Sequence, residues 1–286
     1  MPNPLRIIVL ARNSAPHVRN AWEQMSPALA DRPNLQIVAV ATEDDPPPDL
    51  PEADLAMVIG GDGAILRACR HFHDKQIPLL GINLGRLGFL ADLSPEELLL
   101  NIERLETRHF KITRHVMLDV EHHRADGKIS SYLALNEATI SCAAALAMIE
   151  IEFWIAGERA TTYSADGVII STPVGSTAHN LSAGGPILEQ NLNAFVITPI
   201  CPHTLTNRPL VVSAEHEYML SVPRAPEGVM LVIDGQIKEP LSRGDRIVIR
   251  RAATELPLVR VPGHSYYATL RRKLGWGGQP QYQRMQ

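Results

Sequence analysis

Little in this chain commits it to a special environment. Its 286 residues hold only three cysteines, Cys69, Cys142 and Cys201. They are scattered and odd in number, so they supply neither a disulfide framework nor a zinc-ligand spacing. No apolar run approaches the ~20 residues that a membrane-spanning helix needs. Ile7-Ile-Val-Leu10 near the N-terminus is too short for a secretory h-region. Basic residues do not outnumber acidic ones; 27 Lys and Arg stand against 31 Asp and Glu, a net charge of -4. That balance argues against a general nucleic-acid binder, which usually carries a basic face. The expectation is a cytoplasmic protein with neither a membrane nor a nucleic-acid partner.

Several familiar signatures are also missing. There is no G-x-G-x-x-G dinucleotide fingerprint and no Gly-Lys-Ser/Thr of a P-loop. The protein-kinase set is absent, and Ser182 lacks the first glycine of a nucleophile elbow. His71 and His73 are two apart on a predicted helix and point to different faces, so they make no metal pair. No metal-ligating residue is assigned. His122 and His123 fall on opposite faces of a strand and are expected at the surface.

What is present reads as ordinary globular sequence, with 45% apolar and 20% charged residues. The first third alternates strand and helix. Leu5–Leu10, Leu35–Ala41, Leu55–Ile59 and Pro78–Asn83 read as strands. Val18, Trp22, Met25 and Leu29 recur at helical spacing, and Ala64–His73 reads as a second helix. Ser94-Pro-Glu-Glu97 is a helix start, with Ser as N-cap, Pro at N1 and Glu at N3, predicting a helix to about Glu106. Such alternation implies a parallel, doubly wound sheet. After Phe110 the pattern changes to short strands: Val116–Glu121, Ser131–Leu135, Ile149–Ile155, Val168–Ser171, Phe195–Thr198, Leu210–Val212, Tyr218–Val222, Met230–Ile233, Arg246–Arg250 and Pro257–Val261. The tail Ser265–Leu274 returns to helical spacing. The fold class expected is an α/β, doubly wound (Rossmann-like) N-terminal domain plus an all-β, sandwich-like C-terminal domain. The first takes residues 1–109 and 264–286, with the final helix packing back on it; the second takes 110–263.

Four segments carry chemistry. Gly60-Gly-Asp-Gly63 follows a buried strand and opens a helix. Its glycines allow close backbone approach, and a helix N-terminus after such a turn favours phosphate. Asp62 does not suit a simple anion cradle. It fits a metal-bridged phosphate, a base aimed at a hydroxyl, or a plain helix cap. Gly81-Ile-Asn-Leu-Gly-Arg-Leu-Gly-Phe-Leu90 is a second Gly-rich turn, with Phe89 either available for stacking or part of the core. Asn136-Glu137 sets an amide beside a carboxylate, a pair suited to a base edge and a ribose diol, or to ordinary strand-end polarity. The long insertion Thr172–Pro186, introduced by Asp166-Gly167, offers small hydroxyls and bare backbone, which can hold phosphate or amide groups. Asp234-Gly235 reads locally as a hairpin turn.

In their order, these segments resemble the NAD kinase family. The resemblance rests on Gly60-Gly-Asp-Gly63, Leu87-Gly-Phe-Leu90, Asn136-Glu137, Asp166-Gly167, Thr172-Pro-Val-Gly-Ser-Thr-Ala178 with Leu181-Ser-Ala-Gly-Gly-Pro186, and the tail Leu270–Trp276. It spans nearly the whole chain. It implies a site between the two domains and transfer of the ATP γ-phosphoryl group to the adenosine ribose 2′-hydroxyl of NAD, giving NADP. It implies that Asp62 is the base or hydroxyl-orienting carboxylate. Gly60, Gly61 and Gly63 belong to the same nucleotide turn. Asn136 and Glu137 would hold the adenosine part. Asp166, Ser176, Thr177, Ala178 and His179 belong to the dinucleotide pocket, with Phe89 near the NAD. Mg²⁺ would accompany ATP, and a homodimer or homotetramer is implied, the second subunit completing the site. Three positions depart from the family pattern: Ala64 replaces a Thr, Val174 a small hydroxyl residue and His179 a Tyr. The Gly-Gly-Asp-Gly element alone is shared with diacylglycerol-type lipid kinases, and the three departures motivate a non-catalytic NAD(P) sensor as a further alternative.

Overall fold

The computed structural model describes residues 3–12, 15–43, 46–47, 49–85, 88–91, 93–142, 148–204, 206–263 and 265–276. Leu87 of the second Gly-rich turn and the tail beyond Trp276 lie outside this set. In chain order the first elements are β1 (Leu5–Leu10), α1 (Pro16–Ala30), β2 (Leu35–Ala41), β3 (Leu55–Ile59), α2 (Asp62–Phe72), β4 (Leu79–Ile82), α3 (Pro95–Leu100), α4 (Ile102–Glu106) and β5 (Lys111–His115). There follow β6 (Leu118–His123), β7 (Ile129–Ala134), β8 (Glu137–Cys142), β9 (Ile149–Ile155), β10 (Glu158–Ala165), β11 (Gly167–Ser171) and the short helix α5 (His179–Ser182). The rest are β12 (Ala194–Ile200), β13 (Leu210–Ser213), β14 (Tyr218–Ser221), β15 (Val229–Ile233), β16 (Ile237–Pro240), β17 (Arg246–Arg251), β18 (Leu256–Arg260) and α6 (Tyr266–Leu274).

The chain divides into two compact units. The first comprises Met1–His71, Ile77–Ile112 and Leu258–Gln286; the second comprises Phe72–Gln76 and Thr113–Pro257. The first sheet runs β2-β1-β3-β4-β18-β5. Its β1–β2, β1–β3, β3–β4 and β4–β18 pairs are parallel. Parallel strands need crossovers, and α1 supplies the first, burying Val18, Ala21, Met25 and Leu29. In β3 every residue is buried, as expected where both sheet faces are covered.

Two expectations change here. Pro257–Val261 was read among the strands of the β-rich region. It is β18, and it lies parallel beside β4 in the first sheet. Its first four residues are all buried, the continuous apolar pattern of a two-sided parallel strand. The Ser94 helix has the predicted capping box and Pro but breaks at Asn101. That residue has φ -108 and ψ 9, and its side chain donates to Glu97 O at 2.7 Å. An Asn that bonds the local backbone competes with helix continuation.

The second unit is a sandwich of two six-stranded sheets, β10-β9-β14-β17-β6-β7 and β13-β12-β11-β8-β15-β16, with every described pair antiparallel. Their inner faces share one core, built around Val120, Phe153, Ile170, Phe195, Tyr218 and Leu231. His122 was expected at the surface and is instead 0% exposed. The alternation of β6 turns Leu118, Val120 and His122 to the buried side. Burial is tolerated because His122 Nε2 lies 2.9 Å from Asp245 Oδ2. His123 is half-buried against Glu121 Oε2 at 2.7 Å.

Asp245 also accepts the Ala125 and Ser242 amides, both at 2.9 Å. Burial raises its pKa, but the Ser242 amide, the His122 ring and the Ala125 amide together hold it below the usual range. Asp245→Ala leaves those donors without an acceptor and is expected to cost about 3 kcal/mol, read as a lower urea midpoint at unchanged m-value.

Candidate active site

In the first unit the site is built where β3 ends. Gly60, at φ +146, donates to Ile82 O at 2.8 Å, so the turn is tied to the next strand. Gly61 is exposed, and a side chain there would meet only open space. Helix α2 begins at Asp62, two residues before its predicted start, with Gly63 in its first turn.

The Asp62 carboxylate reaches across to the loop after β4. Oδ2 accepts the Phe89 amide at 2.9 Å, and Oδ1 accepts the Leu90 and Ala91 amides at 3.0 and 3.1 Å. Three consecutive N–H groups therefore converge on one side chain. A carboxylate offers about four acceptor positions. Among the described residues Oδ2 takes a single bond and keeps one lone-pair direction for a further donor. The loop must come this close: a Cβ at Gly88 would sit 2.0 Å from Asp62 Oδ1.

Phe89 is not available for stacking. It is 8% exposed. Its ring packs on Tyr266 of α6, with centroids 6.4 Å apart, and Lys273 Nζ lies 4.2 Å from its centroid. The loop serves the site through its backbone, which no residue-type pattern could show.

The sequence reading also missed a crevice at the carboxyl ends of β1 and β3. It is lined by Ala11, Arg12, Glu43, Ala64 and Arg67. The strand order reverses between β1 and β3, the topological switch point where open α/β sheets bind ligands. Ala64, one of the three departures, lies on its wall.

In the second unit the same device appears again. Asp234 and Gly235 form the β15–β16 turn at φ +49 and +66, so the hairpin reading holds, but the Asp side chain does more. Its Oδ2 accepts the Leu135 amide at 3.0 Å, and its Oδ1 accepts those of Asn136 and Glu137 at 2.7 and 3.1 Å. Asn136 is half-buried and Glu137 5% exposed. Among the described residues Glu137 Oε2 has no hydrogen-bond partner. Burial first, then the negative charge of Asp234, push the Glu137 pKa up to about 8, against the pull of the His179 amide.

The insertion packs onto this segment. Thr172 Oγ1 donates to Leu135 O at 2.5 Å and the Thr172 amide to Asn136 O at 2.9 Å. A Cβ at Gly175 would lie 2.1 Å from Asn136 O, so only glycine allows the approach. Ser176 is buried; its hydroxyl donates to Pro173 O at 2.6 Å and accepts the Leu188 amide at 3.0 Å. It holds the loop together instead of facing outward. Thr177 and Ala178 are half-buried and His179 is exposed. Val174 is buried. Asp166 is half-exposed beside His203 Nε2 at 3.8 Å.

Comparison with known proteins settles what these two sets of residues belong to. The family model for the ATP-NAD kinase N-terminal domain matches residues 41–110, and that for the C-terminal domain matches 135–261. The NAD kinase of Rhodopirellula baltica is 46% identical over 275 residues, 96% of this chain and 88% of that one. The NAD kinase of Geobacter sulfurreducens is 44% identical over 81% of this chain and 82% of its own. The chain belongs to the NAD kinase family. Its activity is that of an NAD kinase, with NAD and ATP as substrates, which sets aside the lipid-kinase and sensor alternatives. The fold agrees. Yeast NADH kinase complexed with NADH superposes with a TM-score of 0.88 at 24% identity, over 98% of this chain and 91% of that one. An NAD kinase from Archaeoglobus fulgidus in complex with ATP gives 0.73 at 26%, over 96% and 100%. Among the described residues no helix is long and apolar enough to cross a membrane.

The state of Glu137 has a measurable consequence. The fold keeps it neutral up to about pH 8, whereas the ordinary glutamate value is 4.5. Between those values the native state binds more protons than the unfolded state, so stability falls as pH rises from about 4.5 to 8. Glu137→Gln is expected to unfold at a higher urea midpoint than the parent at pH 8, with the difference shrinking towards pH 5.

Proposed function

We propose that Asp62 takes the proton of the adenosine ribose 2′-hydroxyl of NAD as the γ-phosphoryl group of ATP is transferred to that oxygen, giving NADP. A ribose hydroxyl is a weak nucleophile, and a positioned carboxylate accepts its proton as the new bond forms. The observation that carries this is the hydrogen-bond pattern of Asp62: three fixed amides hold the group, and Oδ2 retains room for one more donor.

The other roles follow from the chemistry of each segment. Asn136 and Glu137 hold the adenosine part of NAD. Asp166, Thr177, Ala178 and His179 line the dinucleotide pocket, and Ser176 keeps their loop in shape. ATP meets the bare backbone of the Gly60, Gly61 and Gly63 turn and the switch-point crevice beside it, where Arg12 and Arg67 line the wall. Phosphoryl transfer depends mainly on such positioning and charge neutralisation.

Mg²⁺ enters with ATP. Among the described residues no group of three or more His, Cys, Asp or Glu side chains could hold a metal ion. When bound with ATP, Mg²⁺ would neutralise charge on the phosphates. The working form is a cytoplasmic homodimer or homotetramer.

The decisive assay is NADP formation from NAD, ATP and Mg²⁺, read with an NADP-specific dehydrogenase. Asp62→Asn is expected to abolish turnover while calorimetry still detects NAD. Gly88→Ala, whose methyl group would displace the Asp62 carboxylate, is expected to lower turnover roughly 10²-fold, the scale of a 1 Å misplacement. Full turnover by Asp62→Asn would overturn the assignment.

A further inference from the structure

The loop that orients Asp62 is itself held at its two ends by different parts of the first unit. On the Ala91 side the anchor is local. Asn83 Nδ2 donates to Ala91 O at 3.1 Å, and the Asn83 amide donates to Leu93 O at 2.7 Å. On the Phe89 side the anchor comes from far along the chain. Arg260, at the end of β18, donates from Nη2 to Phe89 O at 3.0 Å. Tyr266 of α6 packs on the Phe89 ring, and Lys273, next to last in that helix, sets its ammonium over the ring at 4.2 Å.

The division matters because the two Asp62 oxygens are held differently. Oδ1 is fixed by the Leu90 and Ala91 amides, on the locally anchored side. Oδ2, the oxygen with the spare lone pair, is held by the Phe89 amide alone among the described residues. The ring and carbonyl of Phe89 are what β18 and α6 grip. A shift of Phe89 would turn the carboxylate about its better-held oxygen and re-aim Oδ2.

We propose that Lys273, Tyr266 and Arg260 are positioning residues for phosphoryl transfer: through Phe89 they set the direction in which Asp62 Oδ2 meets its hydroxyl. This rests on the reading of Asp62 as the proton acceptor. None of the three touches the carboxylate. Lys273 is exposed, so its removal leaves the core intact, and an arginine keeps a cation over the ring.

The test compares Lys273→Met, Lys273→Arg and Arg260→Met with Asp62→Asn in the full chain. The readouts are kcat, the KM for NAD, the urea midpoint and amide hydrogen exchange of a peptide spanning 88–91. Lys273→Met and Arg260→Met are expected to lower kcat about tenfold. The KM for NAD and the urea midpoint should stay near the parent values, and exchange at 88–91 should rise. Lys273→Arg is expected to restore kcat. If Asp62→Asn is inactive while Lys273→Met and Arg260→Met turn over within twofold of the parent, the proposal is overturned and the Asp62 reading survives. A kcat loss matched by a lower urea midpoint, or not rescued by arginine, also overturns it. If Asp62→Asn keeps full turnover, the Asp62 reading fails and takes the proposal with it.

Discussion

An aspartate that gathers three consecutive backbone amides is the interaction on which both halves of this enzyme depend. Asp62 does it for Phe89, Leu90 and Ala91; Asp234 does it for Leu135, Asn136 and Glu137. Charge-assisted bonds of this kind are about twice as strong as neutral ones. Three together fix a loop that has no strand or helix of its own to hold it. The two nests differ in what they present. At Asp62 the amides hold a carboxylate whose Oδ2 takes a single bond among the described residues. At Asp234 the carboxylate is the support, and the peptide it grips carries Asn136 and Glu137.

The second nest also sets an electrostatic condition. Glu137 is buried within reach of the Asp234 charge, and only one amide, that of His179, counters the effect. A carboxyl in that position keeps its proton at neutral pH. A neutral carboxyl is able to donate as well as accept a hydrogen bond. The cost is a fold whose stability declines towards alkaline pH. Strain of this sort belongs where binding can relieve it.

Much was legible before the structure. Strands β1, β2 and β3 are apolar throughout or nearly so, and the sequence bounds coincide with theirs. The Ser94 capping box formed as its spacing required. The illegible strands have a common cause. β5, β10 and β16 are sheet edges, half-exposed and mixed in character, so they lack an apolar rhythm. β8 is central but opens with Glu137-Ala-Thr and ends in Ser-Cys, residues that do not announce burial. Arg12 and Arg67 were not singled out because their meeting in one crevice depends on how β1 and α2 lie in space. Phe89 stayed open between stacking and core because an aromatic in a Gly-rich loop looks the same whether a ligand or a helix covers it.

By itself the sequence determined the class of chemistry and the residues able to perform it. A carboxylate between glycines, an Asn-Glu pair and a loop of small hydroxyls, in that order, carried the resemblance to NAD kinases, while residue type and local spacing set donor, acceptor and backbone freedom. Only the tertiary structure decided which of those groups are free to act. It turned Ser176 inward, covered Phe89 with α6, and enlisted Asp234 from about a hundred residues away. Hydrogen-bond partners that far apart in the chain are matched by strand order and register, and no local pattern encodes them.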